Sequence, residues 1–183
     1  MATITNCSNN DIPLLLDIAI SSYRETYEYL WDDKGNSYIT RIYSNKILEE
    51  EMATEGVDYF FVYDDNTPAG YFKTTENALA PHDKKDCLEI EKLYFLKRFT
   101  RKGIGKQVML FIENLARQRH KSLIWLKVME SGDAVPFYKA HGFTQVDSFV
   151  LDYPHMKDEY KVILTFTRCI NLYRCHEFSP GKP

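Results

Sequence analysis

The composition is that of an ordinary globular protein: 183 residues, 44% of them hydrophobic and 27% charged, fit a single domain with its own core. A formal net charge of −3 gives no general reason to bind nucleic acid or an anionic membrane. No apolar run approaches the ~20 residues that span a bilayer. The first residues, MATITNCSNND, lack the basic and apolar parts of a secretion signal. We therefore expect a cytoplasmic protein without a membrane or nucleic-acid partner.

Apolar spacing predicts two helices and a hairpin in the N-terminal part. Residues 12–31 and 37–52 carry apolar side chains three and four positions apart, as a helix with one buried face does. The runs at 57–62 and 69–73 contain aromatic residues, and the turn-forming sequence Asp64-Asp65-Asn66 lies between them. We therefore expect two helices followed by two paired strands.

The C-terminal part alternates strands with helices and then ends in two strands. The predicted elements are a strand at 88–96, a helix at 106–120, a strand at 123–128, a helix at 133–141, and strands at 143–151 and 160–167. Gly142 follows the second of these helices, where a glycine suits a left-handed cap. Residues 171–183 are predicted to form an irregular tail. The order predicts one α/β domain over residues 1–170, with a mixed sheet and helices on both faces.

A basic loop with two glycines joins the strand at 88–96 to the following helix. Backbone N–H groups at such a helix start, with the helix dipole, form an anion site. The P-loop pattern needs G-x-x-x-x-G-K-[ST], and only Gly105-Lys106 fits, because Gln107 follows. The dinucleotide pattern needs a third glycine where Val108 stands. A different phosphate-binding loop is therefore favoured.

Two segments carry a resemblance to one family. Residues 101–106, RKGIGK, resemble the Gln/Arg-x-x-Gly-x-Gly/Ala loop of the GNAT family of N-acetyltransferases, which binds the pyrophosphate of acetyl-CoA. Residues 133–143, DAVPFYKAHGF, resemble the family's A-x-x-F-Y-x-x-x-G-F segment. The order of elements is similar from about residue 3 to residue 167. The strand sequence LEIEKLYFLK is most similar to bacterial polyamine (spermidine/spermine) N-acetyltransferases.

The resemblance implies a mostly antiparallel sheet splayed between its fourth and fifth strands, with acetyl-CoA as cosubstrate. The pantetheine arm is expected to pair with a free strand edge at 93–95, like an added strand. The residues expected to bind acetyl-CoA are Leu93, Tyr94, Phe95, Arg98, Arg101, Lys102, Gly103, Ile104, Gly105, Lys106 and Ser131. Two positions depart from the family pattern: Thr100 replaces the usual Gln or Arg, and Ser131 replaces a frequent Asn.

Acetyl transfer to an amine poses two proton problems. An amine of pKa ~10.4 is only about one part in a thousand deprotonated at pH 7, and the leaving thiolate needs a proton. Tyr138 matches the family tyrosine that points at the thioester sulfur, so we expect it to be the general acid. Glu89 and Glu91 lie two apart and share a face in a regular strand. Either could take the amine proton through water or attract a cationic substrate, and Glu91, nearer the splay point, is the first choice.

The position of the first helix in the family suggests that Tyr27, Glu28 and Trp31 bind the acceptor. Acidic and aromatic side chains would suit a polyamine through charge and cation–π attraction. The alternatives are a protein or peptide N-acetyltransferase, or a non-catalytic CoA-binding regulatory module, which Thr100 and Ser131 favour and Tyr138 opposes.

The sequence predicts no metal site. Cys175-His176 resembles half of a zinc site, but no second half has the required spacing. A homodimer is compatible with the sequence.

Overall fold

Seven strands form one sheet in the computed structural model, which describes residues 2–171. The strands are β1 (Thr3–Asn6), β2 (Val57–Asp64), β3 (Thr67–Thr75), β4 (Cys87–Phe95), β5 (Leu123–Met129), β6 (Thr144–Val150) and β7 (Val162–Cys169). Their order across the sheet is β1-β2-β3-β4-β5-β7-β6. Neighbours are antiparallel except β4 and β5, which are parallel. The predicted mixed, mostly antiparallel sheet is confirmed.

Helices cover both faces of this sheet, as predicted. They are α1 (Ile12–Tyr27), α2 (Asn36–Ile42), α3 (Asn45–Met52), α4 (Ile104–Gln118) and α5 (Ala134–Ala140). One apolar cluster joins the sheet to α4 and α5, and it includes Val108 and Ile112. A second cluster joins the opposite face to α1, α2 and α3, and it includes Leu15 and Leu48. No helix formed by residues 2–171 is both long enough and apolar enough to span a membrane.

Three local expectations differ from the structure. The helix predicted at 37–52 is broken, because Ser44 has an extended backbone and its Oγ accepts the N–H of Ile47 at 3.3 Å, which starts α3 as a new helix. The first helix ends at Tyr27 and continues as a 3-10 turn, Glu28–Leu30. The strand β1 was not predicted, because it is a short edge strand with little apolar pattern.

Of the predicted tail, everything beyond Asn171, including Cys175 and His176, lies outside the described residues.

Two turns fold as their residues suggest. Asp65 and Asn66 both have positive φ, as the tight turn between two paired strands requires. Gly142, at φ +79°, ends α5 in a Schellman motif, in which the N–H of Phe143 donates to the carbonyl of Tyr138 at 3.1 Å. This cap fixes the last turn of α5, which carries Tyr138.

Candidate active site

β4 and β5 pair along their first halves only. The paired positions run from Cys87–Leu123 to Ile90–Leu126. Beyond them β4 stays paired with β3 and β5 with β7, so the strands diverge. The facing edges of residues 91–95 and 127–129 have no strand partner among residues 2–171. The sheet therefore opens into a V lined by free backbone N–H and C=O groups, and the edge at 93–95 lies within it.

A β-bulge marks the start of this opening. Opposite β3, Lys73 pairs with Lys92 and Thr74 pairs with Ile90, so Glu91 is the extra residue. A bulge increases the local twist of a strand and redirects its side chains. It also breaks the regular alternation assumed for Glu89 and Glu91, so the two carboxylates have different surroundings.

The start of α4 lies beside the V. Gly103 has φ +78° at the N-cap, and no atom lies within 4 Å of where its Cβ would be. No side chain of the described residues caps α4, so its first N–H groups stay available to an anion. A Cβ on Gly105 would lie 3.0 Å from Cε2 of Phe137, so glycine allows α4 to approach α5. The two glycines therefore act differently. Gly103 leaves the start of α4 open, and Gly105 allows α4 to pack against α5.

Exposed basic side chains surround this helix start. Arg98 and Lys102 each lie 5.0 Å from the centre of the Phe99 ring, which holds them beside the loop. Arg101 and Lys106 are exposed as well. The hydroxyl of Thr100 donates to the carbonyl of Lys97 at 2.8 Å, so it serves the turn itself. The region is electropositive in a chain that is acidic overall.

Tyr138 on α5 is buried, with 7% of its surface exposed. Its ring centre lies 5.3 Å from that of Phe137 and 5.7 Å from that of Phe143. Its hydroxyl has no hydrogen-bond partner among residues 2–171. Burial, and then the neighbouring Tyr27, raise the pKa of Tyr138 well above its usual value. It therefore carries a proton at neutral pH.

A cluster of tyrosines covers the face of the sheet that carries α1 and α2. Its members are Tyr23, Tyr27, Tyr38, Tyr43, Tyr71 and Tyr94. Tyr27 meets Tyr94 edge to face at 5.9 Å, and burial raises the pKa of Tyr27 to about 12. Tyr27 also contributes, after burial, to the raised pKa of Tyr138. The predicted acceptor residue Tyr27 thus packs against Tyr94, at the free edge of β4.

The two candidate bases differ in environment. Glu89 is 6% exposed, and Asn77 donates to its Oε2 at 2.9 Å. Burial raises the pKa of Glu89, although this hydrogen bond acts against the shift. Glu91 is more exposed, and Lys73 and Thr75 donate to it at 2.8 and 2.9 Å. Burial alone would raise the pKa of Glu91, but nearby lysines and these hydrogen bonds lower it. Glu89 is the stronger base of the two.

The other two predicted acceptor residues, Glu28 and Trp31, line an open hollow of about 550 Å³ that Tyr27 does not line. Its remaining lining residues are Glu25, Tyr29, Asp32, Lys34 and Lys157. Trp31 is buried, and its Nε1–H donates to the hydroxyl of Tyr23 at 3.0 Å. Glu28 is exposed and lies 3.8 Å from Lys34. Two of the predicted acceptor residues thus line the hollow, and Lys157, which also lines it, was not among the predicted site residues.

The last turns of α1 and the segment after it contact the ends of both strands at the open end of the V. The carboxylate of Glu25 accepts the N–H of Lys97, just after β4, at 2.6 Å, and the hydroxyl of Tyr29 lies 3.5 Å from Oγ of Ser131, just after β5. The loop between β6 and β7 adds to these contacts. The N–H of Asp32 donates to the carbonyl of His155 at 2.9 Å. The N–H of Lys157 donates to the carbonyl of Leu30, also at 2.9 Å. We call residues 28–32 and 155–157 the arch. Sequence spacing could not reveal it, because its halves are more than 120 residues apart.

His141 and His120 both lie at the ends of helices. His141 Nδ1 lies 2.8 Å from the carbonyl of Phe137 in the preceding turn. His120 has φ +56° at the end of α4. Among residues 2–171, no group of three or more His, Cys, Asp or Glu side chains is arranged to hold a metal ion.

Comparison with known proteins agrees with this fold. An uncharacterized N-acetyltransferase from Lactobacillus delbrueckii subsp. lactis is 30% identical over 155 residues, which cover 80% of this chain and 87% of that protein. The PaiA N-acetyltransferase from Thermoplasma acidophilum, solved in complex with coenzyme A, superposes with a TM-score of 0.71 at 22% identity, covering 90% of this chain and 98% of that one. The ribosomal-protein-S18-alanine N-acetyltransferase from Escherichia coli has a TM-score of 0.67 at 17% identity, covering 94% and 96%.

The last two similarities are similarities of fold. The family assignment comes from the model of the Acetyltransferase (GNAT) family, which matches residues 18–143, and from the Lactobacillus relative. The matched range contains the V, the start of α4 and all of α5. The chain therefore belongs to the GNAT family of acetyltransferases, and it is an N-acetyltransferase.

Proposed function

We propose that this enzyme transfers the acetyl group of acetyl-CoA directly to a primary amine of a small molecule, with Tyr138 as the general acid. The observation that carries the proposal is the protonated hydroxyl of Tyr138, which has no partner among the described residues and lies on α5 beside the V. A phenol without a partner can donate its proton to a leaving group.

The V and the start of α4 fit the two ends of acetyl-CoA. The free edge at 93–95 offers N–H and C=O groups to the amides of the pantetheine arm, as a sheet edge does to an added strand. The pyrophosphate suits the N–H groups of residues 103–106, because the space beside Gly103 is open. Arg98, Arg101, Lys102 and Lys106 add positive charge there. Ser131, after β5, would supply one further hydrogen bond.

The chain's own groups can handle both protons of the reaction. The amine nitrogen forms a bond to the acetyl carbon while the carbon–sulfur bond breaks. Glu89, through a water molecule, takes the proton that the amine loses, and Tyr138 gives its proton to the sulfur. Removing the amine proton at pH 7 costs roughly 5 kcal/mol, so a carboxylate made more basic by burial is useful. Glu91 has a lowered pKa and is the weaker candidate for this step.

The hollow supports a cationic acceptor, such as a polyamine. Glu25, Glu28 and Asp32 bring negative charge to it, and Tyr29 and Trp31 bring aromatic surface. Lys34 and Lys157 offset part of that charge. Backbone hydrogen bonds join the two halves of the arch, and Tyr29 of the arch lies 3.5 Å from Ser131, just after β5. A narrow amine can pass beneath such an arch more readily than a folded protein surface, which favours a small molecule over a protein acceptor.

An amine screen tests this function. The protein is mixed with acetyl-CoA, a thiol reagent and, in turn, spermidine, putrescine, neutral alkylamines, amino acids and a peptide with a free N-terminus. We expect CoA release to be fastest with the small cationic amines, and acetyl-CoA without amine gives the background. Binding of CoA without release for any amine would contradict the proposal. Fastest release with the peptide would replace the small-molecule acceptor by a protein one.

A further inference from the structure

A cluster of opposite charges lies where β4 separates from β5. Nζ of Lys73, a residue of β3 that is 3% exposed, lies 2.8 Å from both carboxylate oxygens of Glu91. The same Nζ lies 3.0 Å from Oε2 of Glu51 on α3. Thr75, also on β3, donates its hydroxyl to Oε2 of Glu91 at 2.9 Å. The carboxylate of Glu91 is therefore held by two donors on the adjacent strand.

A second lysine completes the cluster at longer distances. Nζ of Lys92, which is 9% exposed, lies 3.6 Å from Glu91 and 3.8 Å from Glu51. It also lies 3.4 Å from the hydroxyl of Tyr59, which donates to Glu51. Two lysines and two glutamates thus balance each other's charge, and the short contacts to Glu91 come from Lys73 and Thr75.

Stability of the fold does not explain this arrangement. Buried ion pairs are costly to desolvate, and apolar residues of similar volume often stabilise a protein as well or better. The cluster coincides with the bulge at Glu91, and bulges redirect a side chain. The side chain of Glu91 is 32% exposed, whereas that of Lys73 is 4% exposed. The carboxylate is therefore fixed from within the protein and open on its other side.

The exposed side of Glu91 belongs to the V. Glu91 is the first residue of β4 after the last pair with β5, Ile90–Leu126. Tyr38 of the tyrosine cluster also interacts electrostatically with Glu91. A carboxylate at this place faces the side of the sheet on which the hollow and Tyr27 lie.

We propose that Lys73 and Thr75 are positioning residues, which hold Glu91 so that its open side anchors an ammonium group of a cationic acceptor. This inference rests on the proposed function and gives Glu91 a role in acceptor specificity, while Glu89 takes the proton. A carboxylate that stays ionised and is already held in one orientation loses little conformational entropy when it binds a cation.

The pKa of Glu91 agrees with this role. Burial would raise it, but Lys92 and Lys73, with the hydrogen bonds from Lys73 and Thr75, bring it below its usual value. The other titratable groups that interact with Glu91 or its lysine partners include Glu51, Tyr59, Tyr38, Glu89 and Tyr43. Glu91 therefore stays negative throughout the neutral range and loses its charge only as the pH falls through the lowered pKa.

A charge-removing variant with a matched control tests the proposal. Lys73→Met keeps an unbranched side chain and removes the ammonium. Lys121→Met is the control, because Lys121 is 5% exposed and its Nζ lies 2.7 Å from Glu76, in a cluster that does not include Glu91. We expect the pKa of Glu91, followed by NMR of carboxyl-labelled protein, to rise in Lys73→Met and to stay unchanged in Lys121→Met.

Kinetics give the second readout, with the amine that reacts fastest in the screen. We expect Lys73→Met to raise the KM for the amine about tenfold, equivalent to about 1.4 kcal/mol, with kcat and the KM for acetyl-CoA near their original values. In the Glu91→Gln background, Lys73→Met should not raise the amine KM further. Thr75→Val removes one hydrogen bond to Glu91, so it should raise the Glu91 pKa and the amine KM by less than Lys73→Met does. It replaces Lys73→Met in both measurements if that variant does not fold.

Three results would overturn the proposal: an unchanged Glu91 pKa in Lys73→Met, an equal KM change in Lys121→Met, or an undiminished effect of Lys73→Met in Glu91→Gln. Failure of the wild-type protein to acetylate any amine would instead overturn the proposed function. The NMR measurement does not depend on turnover and would still decide whether Lys73 holds Glu91.

Discussion

The start of α4 and the tyrosine cluster lie at the same V but are built in opposite ways. The start of α4 comes from one continuous stretch, residues 97–106, and it offers backbone N–H groups, glycines and exposed cations. The tyrosine cluster takes its side chains from α1, α2, β3, β4 and the residue after α2. The first region needs only a local sequence to form, whereas the second exists only after α1, α2, β3 and β4 have packed together.

This difference indicates where specificity resides. A site built from backbone groups keeps its chemistry when neighbouring side chains change, which suits a cosubstrate shared across a family. A site built from side chains of several elements changes with each substitution. We therefore expect substitutions at the start of α4 to alter the KM for acetyl-CoA, and substitutions around Glu91 and the hollow to alter the KM for the amine.

The largest expected effect is at Tyr138, where the two regions meet. Tyr138→Phe should lower kcat about a hundredfold, because it removes the proton donor. The KM for acetyl-CoA should change little, because the phenyl ring keeps its packing against Phe137 and Phe143. Steady-state kinetics and equilibrium binding of CoA measure the two quantities.

Tyr29→Phe is a matched control for Tyr138→Phe. It removes a phenol at the hollow whose hydroxyl lies 3.5 Å from Ser131, and it should leave kcat close to that of the original enzyme. If Tyr138→Phe reduced CoA affinity as much as turnover, Tyr138 would be a packing residue, and the two regions would not meet there.

Glu89→Gln should give the next largest effect, a fall in kcat of at least about tenfold, because an amide cannot accept the amine proton. Asn77 can still donate to the new side chain, so the fold should be retained. Burial raises the pKa of Glu89, and its ionised form is the active one. Activity of the original enzyme should therefore be lost as the pH falls through that raised pKa, and Glu89→Gln should lack this acidic limb in its pH–rate profile.

Glu91→Gln distinguishes the two carboxylates. It should raise the KM for the amine and leave kcat and the acidic limb in place. A loss of the acidic limb in Glu91→Gln, with the limb retained in Glu89→Gln, would reverse the two assignments.

The sequence predicted those parts of the site whose functional residues and local structure lie in one continuous stretch of chain. The strand, the loop with Gly103 and Gly105, and the helix after it are continuous, so spacing predicted them and the structure confirmed the fold around them. Gly142 was predicted as a left-handed cap for the same reason, since a Schellman motif is local.

The remaining features depend on partners distant in sequence. The bulge at Glu91 is defined by its register against β3, and no periodicity in β4 alone reports it. Lys73 was predicted only as part of a strand, because a lysine in a strand is usually exposed. The arch joins residues 28–32 to residues 155–157 through backbone groups, which carry no sequence signal. The acceptor side was therefore the less predictable part of the site.

The smallest expected effect tests the start of α4 by improving it. The hydroxyl of Thr100 bonds to the carbonyl of Lys97 and is directed to the turn, whereas the family commonly has Gln or Arg at this position. Thr100→Arg should lower the KM for acetyl-CoA about threefold, because a guanidinium can form charge-assisted hydrogen bonds to phosphate. Thr100→Ala, which loses the turn bond without gaining a cation, is the control and should not lower that KM. The amine KM should stay constant in both variants. A lower amine KM in Thr100→Arg would mean that the two regions are coupled, and an unchanged acetyl-CoA KM would mean that the side chain at residue 100 does not face the phosphates.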